Sequence, residues 1–515
     1  MDNFAAILDS HADRRPGQVA VIDGERQLTF AELHERVNAT ARALLDLGVG
    51  VGDIVALLQY NRIEFLEVLL AVNRIGAVFL PLNYRLAPAE WQYILQHSRA
   101  KVLVTEAEFE RSVDGIADSL PDLLVRLLVG TEATTPWQSL EGLVGERLGR
   151  HVPVADVPGD HLQRLMYTSG TTSRPKGVRI SHRNLMYKNL GLFVQFGWTA
   201  DQVTAVGGPL YHVGALDMGG LATLHIGGQL VLQRKFEPVE LIRLIERHRA
   251  TTVWLAPAMV NAVLQCAELD HADLSSMRLI MSGGEKMPEA RLKQVLELFP
   301  GLWFADAYGL TETVSSDTFM PYEYMHSKIG SVGKPLPHVR VRVIDEAGND
   351  VPADSIGEIA VRGPKVFTGY WRDSEATARC FQNGWFRTGD MGRLDSDGFL
   401  YVEDRKKDMI VSGGENVATP EVERVLYEHP SVLEAAVVGH PDKTWGEVPH
   451  AYVVMRPGEQ FSPEELAQFC RERLAKFKVP KYFDQIESLP RTPSGKVLKR
   501  LLREPGGGTP PPGAG

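Results

Sequence analysis

Short apolar segments that alternate with amphipathic helical patterns are the feature that most constrains the fold of this chain. Near the amino terminus, apolar segments of strand length stand at residues 54–58, 77–82 and 101–105. The same rhythm returns further along the chain, at residues 229–233, 251–255, 278–281 and 302–305. Because strands that alternate with helices build sheets covered by helices, the pattern predicts an α/β fold.

One helix can be bounded from local chemistry. Thr29 is followed three residues later by Glu32, which is the pattern of a capping box. Apolar residues recur at helical spacing from Leu33 to Leu45, and Gly48 is a natural stop. The sequence therefore predicts a helix between Thr29 and Gly48.

The texture of the chain changes beyond about residue 330. Turn-rich stretches such as RVIDEAGND and GRLDSDGFLYVEDR are typical of antiparallel hairpins. A helical pattern after GGENVATP is then followed by strand patterns at 434–438 and 451–455 and a helical pattern near 463–474, which together predict a small α/β module. The composition of residues 505–515, PGGGTPPPGAG, predicts a disordered tail.

Composition and charge exclude several classes of function. The net charge of -10 and the absence of a long Lys/Arg run argue against nucleic acid as a partner. The cysteines Cys266, Cys380 and Cys470 are odd in number and widely spaced, which favours a reducing, cytoplasmic setting without a disulfide framework. No segment has the pattern of a secretory signal or the length of a transmembrane helix.

Residues 167–178, YTSGTTSRPKGV, have the composition of a phosphate-binding loop. Glycines let the backbone approach a phosphate, hydroxyl and amide groups donate hydrogen bonds, and a lysine supplies charge. The segment differs from the Walker A pattern, because Lys176 is followed by Gly177 and not by Ser or Thr. A short run of this composition is also typical of a flexible turn, but the whole string favours polyphosphate binding. The candidate ligands are Thr168, Ser169, Gly170, Thr171, Thr172 and Lys176.

The loop resembles the signature loop of the adenylate-forming superfamily, which includes acyl-CoA synthetases, luciferases and peptide-synthetase adenylation domains. Five further segments resemble motifs of that family in the family's order, so the resemblance spans nearly the whole chain. One residue departs from the pattern: Ser173 stands where glycine is usual, and no phosphate donor is lost. The resemblance implies a large amino-terminal α/β domain (1–404) with a distorted β-barrel-like subdomain, a hinge (405–408) and a small mobile α/β domain (409–504).

The resemblance also assigns the nucleotide site. AYGLTET resembles the adenine and magnesium motif, which implies that Glu312 binds Mg²⁺, a hard cation that prefers carboxylates. FRTGD implies that Asp390 accepts hydrogen bonds from both ribose hydroxyls. The remaining nucleotide contacts that the resemblance implies are Gly283, Gly284, Glu285, Tyr308, Gly309, Thr311 and Arg405.

The resemblance implies that the small domain presents different residues to the active site in each of two half-reactions. Lys496, in PRTPSGKVLKR, matches the catalytic lysine of the family, and Lys407 matches its hinge position. The segment SGGENV with Gly413 and Gly414 is implied to contact CoA, as is Trp445, which is equally typical of an ordinary surface aromatic residue. As an alternative to a hinge, Lys406 and Lys407 together are typical of a solvated charge cluster.

The function implied is that of an AMP-forming carboxylic acid–CoA ligase, which uses ATP, Mg²⁺ and CoA. PLYHVGAL resembles the segment that lines the acyl pocket and the approach of the thiol, which makes His212 a catalytic gate or pocket residue; a Tyr-His pair is also typical of packing. The bulk of Trp254 favours a medium-chain or aromatic acid. By resemblance, the pocket wall consists of Trp254, His212, Gly309 and Val314.

Several alternatives stay open at this point. The segment after PLYHV lacks the Phe-Asp pair that holds an α-amino group in peptide-synthetase domains, which disfavours an amino acid substrate. The same motifs would serve adenylation for a carrier protein or an amine, or activation of another oxyanion such as nitrite. A nucleotide-binding protein without catalysis is disfavoured by the presence of Lys496, Glu312 and Asp390 together. The sequence leaves a homodimer open.

Overall fold

A computed structural model of the chain describes residues 2–130, 133, 135–168, 175–285, 287–405, 408–412, 415–442, 445–474, 476–491 and 497–503.

The first part of the chain alternates strands and helices. In order, its elements are α1 (Ala6–Arg14), β1 (Val19–Asp23), β2 (Arg26–Thr29), α2 (Phe30–Asp46), β3 (Ile54–Leu58), α3 (Ile63–Arg74), β4 (Val78–Pro81), α4 (Pro88–Ser98), β5 (Val102–Glu106), α5 (Ala107–Ala117), β6 (Val125–Val129), β7 (Trp137–Ser139), α6 (Leu140–Gly145), β8 (Leu162–Thr168), β9 (Lys176–Ser181) and α7 (His182–Phe196).

The middle part continues the same rhythm and adds a π-helical segment, Gly214–Gly220. Its other elements are β10 (Val203–Val206), α8 (Leu221–Ile226), β11 (Gln229–Leu232), α9 (Pro238–His248), β12 (Thr252–Leu255), α10 (Pro257–Leu264), β13 (Leu279–Gly283), α11 (Glu289–Leu298), β14 (Trp303–Leu310), β15 (Ser315–Phe319) and β16 (Lys334–Pro335), with short 3₁₀ turns at Ala267–Asp270, Thr311–Thr313 and Tyr322–Tyr324.

The last part is richer in antiparallel strands. Its elements are β17 (Arg340–Ile344), β18 (Gly357–Arg362), α12 (Ser374–Cys380), β19 (Phe381–Gln382), β20 (Trp385–Leu394), β21 (Leu400–Arg405), β22 (Ile410–Ser412), β23 (Glu415–Val417), α13 (Thr419–Tyr427), β24 (Val432–Asp442), β25 (Gly446–Met455), α14 (Pro463–Arg471), a 3₁₀ turn at Lys476–Lys478, β26 (Tyr482–Gln485) and α15 (Lys499–Arg503).

Two large sheets form the body of the molecule. Sheet I has the strand order β16-β15-β14-β13-β12-β10-β11-β1-β2, and sheet II has the order β7-β6-β5-β3-β4-β8-β9. The central strands of both sheets are parallel, whereas β2, β9, β15 and β16 add antiparallel edges. The predicted α/β fold is thereby confirmed.

Three layers of helices alternate with the two sheets, which gives five layers in all. A core that includes Leu33 of α2, Leu66 of α3 and Leu192 of α7 packs against strands of both sheets. A second core covers the other face of sheet II with α4 and α5, and a third covers the other face of sheet I with α9, α10 and α11. Burial on both faces explains why the parallel strands are continuously apolar in the sequence.

Two smaller sheets follow in the chain. Sheet III pairs β17, β18, β20, β19 and β21 in antiparallel hairpins, and sheet IV pairs β23, β22, β25, β24 and β26 with α13 and α14 packed against it. The strands of sheet III end at Arg405 and those of sheet IV begin at Ile410. The predicted hinge lies in this interval, but Lys406 and Lys407 lie outside the described residues.

Most predicted elements match the structure within two residues. Thr29 and Glu32 form the predicted capping box, and α2 ends just before Gly48. Strand β14 is longer than predicted, reaching Leu310 instead of residue 305, because β15 pairs with its second half. No described helix has both the length and the apolar character needed to cross a membrane.

A buried cluster of charges joins the two large sheets. Arg164 on β8 and Asp217 in the π-helical segment form a salt bridge of 2.5 Å with both side chains fully buried. Lys365 and Asp317 on β15 form a second buried pair at 2.7 Å. Lys188 on α7 lies between these pairs and donates a hydrogen bond to the carbonyl oxygen of Asp217. Burial lowers the pKa of Lys188 to about 7.

Replacement of this lysine tests the electrostatics of the cluster. Between about pH 7 and about pH 10 the unfolded chain binds one more proton at Lys188 than the folded chain does, so the stability that Lys188 contributes rises with pH. We expect the free energy of unfolding of the wild type, relative to that of Lys188→Met, to increase steadily over this range, by at most about 4–5 kcal/mol. The melting temperature of the wild type should rise relative to that of the variant in the same way. Calorimetry across this range, with exposed Lys293→Met as control, checks the expectation. Parallel profiles of the wild type and Lys188→Met would contradict it.

Candidate active site

The site begins where two neighbouring parallel strands of sheet I end. β13 ends at Gly283, where an added Cβ would lie 2.7 Å from the carbonyl oxygen of Ala307 on β14. Gly284 follows with φ of +95°, a conformation that suits glycine. The two predicted glycines thus let the backbone pass tightly at the carboxyl edge of the sheet, where open α/β sheets bind ligands.

Tyr308 and Asp390 meet at this edge although they are far apart in sequence. The Tyr308 hydroxyl donates a hydrogen bond of 2.8 Å to Oδ2 of Asp390, and both residues are buried. Burial, followed by the nearby Asp390 carboxylate, raises the pKa of Tyr308 well above its usual value, so the phenol stays protonated. Asp390 on β20 is directly opposite Arg405 on β21, so the backbone places these two predicted nucleotide contacts side by side.

Gly309 lies near the end of β14, just before the tight turn to β15. An added Cβ would lie 2.2 Å from the carbonyl oxygen of Ser315, which only glycine avoids. Val314 and Ser315 have φ of +52° and +68°, a left-handed conformation that is strained for both residue types. The buried side chain of Lys365 donates hydrogen bonds to the carbonyl oxygens of Thr313 and Ser315 and so stabilises the turn.

Glu312 projects from this turn and is half-buried. Its carbonyl oxygen accepts a hydrogen bond of 2.7 Å from the backbone N–H of Phe367, and its Oε1 accepts one of 2.9 Å from the hydroxyl of Tyr370. Thr311 lies next to it, in the same 3₁₀ turn. A single oriented carboxylate beside a phosphate loop is the donor set that suits Mg²⁺, which keeps most of its other ligands as water and phosphate oxygens. The residues present therefore fit this ion.

The phosphate-loop segment leaves from β8 and returns along β9. Thr168 and Lys176 are paired across this hairpin. The Nζ atom of Lys176 lies 5.0 Å from the centre of the Tyr370 ring, which is a cation–π distance. Ser169, Gly170, Thr171 and Thr172 lie outside the described residues. Tyr370 thus contacts both Lys176, at one end of the loop, and Glu312.

His212 and Trp254 lie side by side. Their ring centres are 6.3 Å apart in a near-parallel arrangement, with His212 half-exposed and Trp254 only 6% exposed. The indole fits closely over Gly208 and Gly214, where an added Cβ would lie 2.8 Å and 2.3 Å from ring atoms. The structure thus brings together two of the predicted wall residues of an acyl pocket, while Val314 is fully buried within the turn.

The small-domain segment 492–496 is flanked by contacts to the large sheets. The backbone N–H of Val497 donates a hydrogen bond of 3.0 Å to Oε1 of Glu285, and Arg491 lies 3.7 Å from Oε2 of the same carboxylate. Lys496 lies outside the described residues. The described residues on either side of it, Arg491 and Val497, thus both contact Glu285.

The segments predicted to contact CoA are also neighbours. Ser412 on β22 pairs with Gly446 on β25, which places the end of β22 beside the tip of the β24–β25 hairpin. Trp445 at this tip is 54% exposed, and its backbone N–H donates to the Asp442 carboxylate. Gly413 and Gly414 lie outside the described residues. The assigned role of Trp445 stays a prediction.

Sequence reasoning missed three residues of this site: Lys365, Tyr370 and Arg491. Each one contacts a motif residue that is at least fifty positions away in the chain. Lys365 in VRGPKV and Tyr370 in FTGYW carry no spacing that indicates their partners. No local signal could have found them, since tertiary contact alone gives them their place.

Comparisons with known proteins agree with this geometry. The sequence profile of AMP-binding enzymes matches residues 8–371, and the profile of the AMP-binding enzyme C-terminal domain matches residues 421–496. The chain is similar to a feruloyl-CoA synthase of Amycolatopsis sp., with 39% identity over 95% of this chain and 96% of the relative. It is also similar to an indoleacetate–CoA ligase of Aromatoleum aromaticum, with 38% identity over 96% and 97% of the two chains.

A solved structure shows the same architecture. The crystal structure of an anthranilate CoA ligase in complex with anthranoyl-AMP superposes on this chain with a TM-score of 0.91, at 27% identity, covering 97% of this chain and 96% of the other. The likeness includes the smaller carboxyl-terminal domain as well as the two large sheets.

Loss of the buried lysine beneath the turn should be costly. Lys365→Met leaves the Asp317 carboxylate buried without its cation, which typically costs about 3–5 kcal/mol. We expect a clearly lower melting temperature for this variant, and recovery of most of the loss in the double variant Lys365→Met with Asp317→Leu, since both charges are then removed. Thermal unfolding of the three proteins checks this; a double variant no more stable than the single one would contradict it.

Proposed function

The chain belongs to the AMP-binding enzyme family, and we propose that it is an ATP-dependent carboxylic acid–CoA ligase that forms an acyl-AMP and then an acyl-CoA. The observation that carries this proposal is the meeting of Tyr308, Asp390, Glu312 and Lys176 at one edge of sheet I, beside Glu285, which contacts both flanks of the Lys496 segment. Relatives are named feruloyl-CoA synthase and indoleacetate–CoA ligase, which supports CoA as the acceptor.

In the first half-reaction the substrate carboxylate attacks the α-phosphorus of ATP, and pyrophosphate leaves. Asp390 orients the ribose, the Tyr308 ring lies beside the base, and Lys176 together with the loop from Thr168 neutralises phosphate charge. Lys496 acts as a positioned cation rather than a base, because the attacking carboxylate has no proton to lose. The contacts of Glu285 to Val497 and Arg491 support this arrangement of the small domain.

Mg²⁺ would be held by Glu312, and it would neutralise charge on phosphate oxygens when bound. The 3₁₀ turn of Thr311–Thr313 and the hydrogen bonds from Phe367 and Tyr370 fix the carboxylate in advance. Preorganisation of this kind lowers the cost of assembling the site.

In the second half-reaction the thiol of CoA loses its proton to solvent and attacks the acyl carbon, and AMP leaves with the electrons of the broken carbon–oxygen bond. For this step we propose that the small domain turns about Lys407, withdraws Lys496 and presents Gly413, Gly414 and Trp445 to CoA. The exposure of Trp445 and the closeness of β22 to the hairpin tip support a shared surface. His212 would stand at the approach of the thiol to the acyl group.

We propose an aromatic acid as the substrate. Trp254, which packs over two glycines and lies beside the His212 ring, would supply a flat apolar surface to the acid. Relatives named for feruloyl-CoA and indoleacetate, and the anthranoyl-AMP complex, all concern aryl acids. A planar ring loses less conformational entropy on binding such a wall than a flexible chain of the same area does.

The direct test is pyrophosphate release with ATP, Mg²⁺ and a panel of aryl and aliphatic acids, with and without CoA, followed by mass spectrometry of the products. We expect an acyl-CoA with aryl acids, at higher kcat/KM than with aliphatic acids of equal carbon number. Pyrophosphate and AMP without a thioester would instead indicate a carrier protein, an amine or another oxyanion such as nitrite. No pyrophosphate with any acid would contradict the proposal.

Removal of the small-domain lysine should separate the half-reactions. Lys496→Ala is expected to lower the rate of adenylation by about 10²–10³, as removal of one preorganised donor does in other enzymes. The rate of thioester formation from supplied acyl-AMP and CoA should change little, because the lysine is withdrawn in that step. Lys476→Ala, which alters an exposed lysine of the same domain, serves as the control. Equal losses in both half-reactions would contradict the assigned role.

A further inference from the structure

Residues 365–371, here called the bracket segment, lie against two separate parts of the nucleotide site. On one side the backbone N–H of Phe367 donates a hydrogen bond of 2.7 Å to the carbonyl oxygen of Glu312. On the other side the N–H of Trp371 bonds the carbonyl oxygen of Gly177 at 2.7 Å, and Tyr370 forms a β-bridge with Val178. The bracket segment therefore connects the Thr311–Thr313 turn, which carries Glu312, to strand β9, which follows the phosphate loop.

Tyr370 makes both connections with a single side chain. Its hydroxyl donates a hydrogen bond of 2.9 Å to Oε1 of Glu312, and the Nζ atom of Lys176 lies 5.0 Å from the centre of its ring. The two contacts use different parts of the side chain, because one needs the hydroxyl and the other needs the aromatic face. They can therefore be removed one at a time.

The surrounding backbone fixes this tyrosine in place. Its N–H donates a hydrogen bond of 2.9 Å to the hydroxyl of Thr377, and the preceding Gly369 has φ of +136°. An added Cβ at Gly369 would lie 2.5 Å from a Thr377 side-chain carbon, so the loop closes tightly over α12. Burial, and then the nearby Glu312 carboxylate, raise the pKa of Tyr370 above its usual value, so the phenol remains a donor at neutral pH.

We propose that Tyr370 is a positioning residue that orients the Glu312 carboxylate for Mg²⁺ with its hydroxyl and holds the Lys176 ammonium group for the phosphates with its ring. The inference rests on the proposed function, since both Glu312 and Lys176 are assigned to ATP there. Hydrogen bonds from neighbouring residues commonly orient metal-binding side chains, and their loss typically weakens metal affinity by about 10–100-fold. One side chain thus sets the spacing between a divalent cation and an ammonium group on the same triphosphate.

A pair of variants separates the two contacts. Tyr370→Phe keeps the ring over Lys176 and removes the hydroxyl, whereas Tyr370→Leu removes both. ATP binding to the full chain is measured by isothermal titration calorimetry, once in EDTA and once over a series of Mg²⁺ concentrations. Tyr322→Phe, which removes an exposed phenol, is the matched control.

For Tyr370→Phe we expect unchanged ATP affinity in EDTA and a Mg²⁺ midpoint raised by about tenfold. For Tyr370→Leu we expect weaker ATP binding in EDTA as well, because the ring no longer holds Lys176. A thermal melt of each variant accompanies the titrations, so that a general loss of fold is recognised. The Mg²⁺ dependence of pyrophosphate release should shift by the same factor as the binding midpoint.

Two results would overturn the inference. A Tyr370→Phe protein with the wild-type Mg²⁺ midpoint would show that the hydroxyl does not orient Glu312. A Tyr370→Phe protein that loses equal affinity in EDTA and in Mg²⁺ would show a merely structural role. Either result leaves the proposed function standing, provided that the wild type binds ATP with Mg²⁺; a wild type that binds no ATP would overturn both.

Discussion

The buried pairs Arg164–Asp217 and Lys365–Asp317 are the interactions on which the rest of this structure depends. They lie between the two large sheets, beside the apolar core that the sheets share. Charges withdrawn from water are tolerated only when each finds its partner at a fixed distance, so the pairs allow one relative placement of β8, β15 and the π-helical segment. Apolar packing brings the sheets together, and the ion pairs select how they meet.

This placement reaches the active site through Lys365. The same ammonium group that pairs with Asp317 also donates to the carbonyl oxygens of Thr313 and Ser315. Those bonds offset the strain of the left-handed residues Val314 and Ser315, which lie in the turn that carries the proposed nucleotide-site residue Glu312. Strain at a functional turn is thus balanced by a charge buried beneath it.

Much of the fold was accessible from the sequence, because its strands and helices have local causes. The segment 54–58 is a strand with the predicted bounds, and the helix after Thr29 has the predicted capping box. Tyr308 and Asp390 were found through their motifs, and the structure adds their hydrogen bond. Lys365, Tyr370 and Arg491 stayed hidden, since their roles come from contacts with residues at least fifty positions away, and neither periodicity nor turn chemistry encodes such contacts.

The contact of the small domain with Glu285 is weak enough to be broken between the two steps of the proposed reaction. Glu285 and Arg491 are 3.7 Å apart and partly exposed, so their attraction is screened and is worth about 0–1 kcal/mol. The hydrogen bond from Val497 to Glu285 can be exchanged for one with water at similarly small cost. The large domain, by contrast, is held by buried charges that cannot be exchanged. On the proposed mechanism, a small domain that is held weakly at Glu285 would let its lysine be delivered for adenylation and then withdrawn, since the contacts at this carboxylate are ones that water can replace.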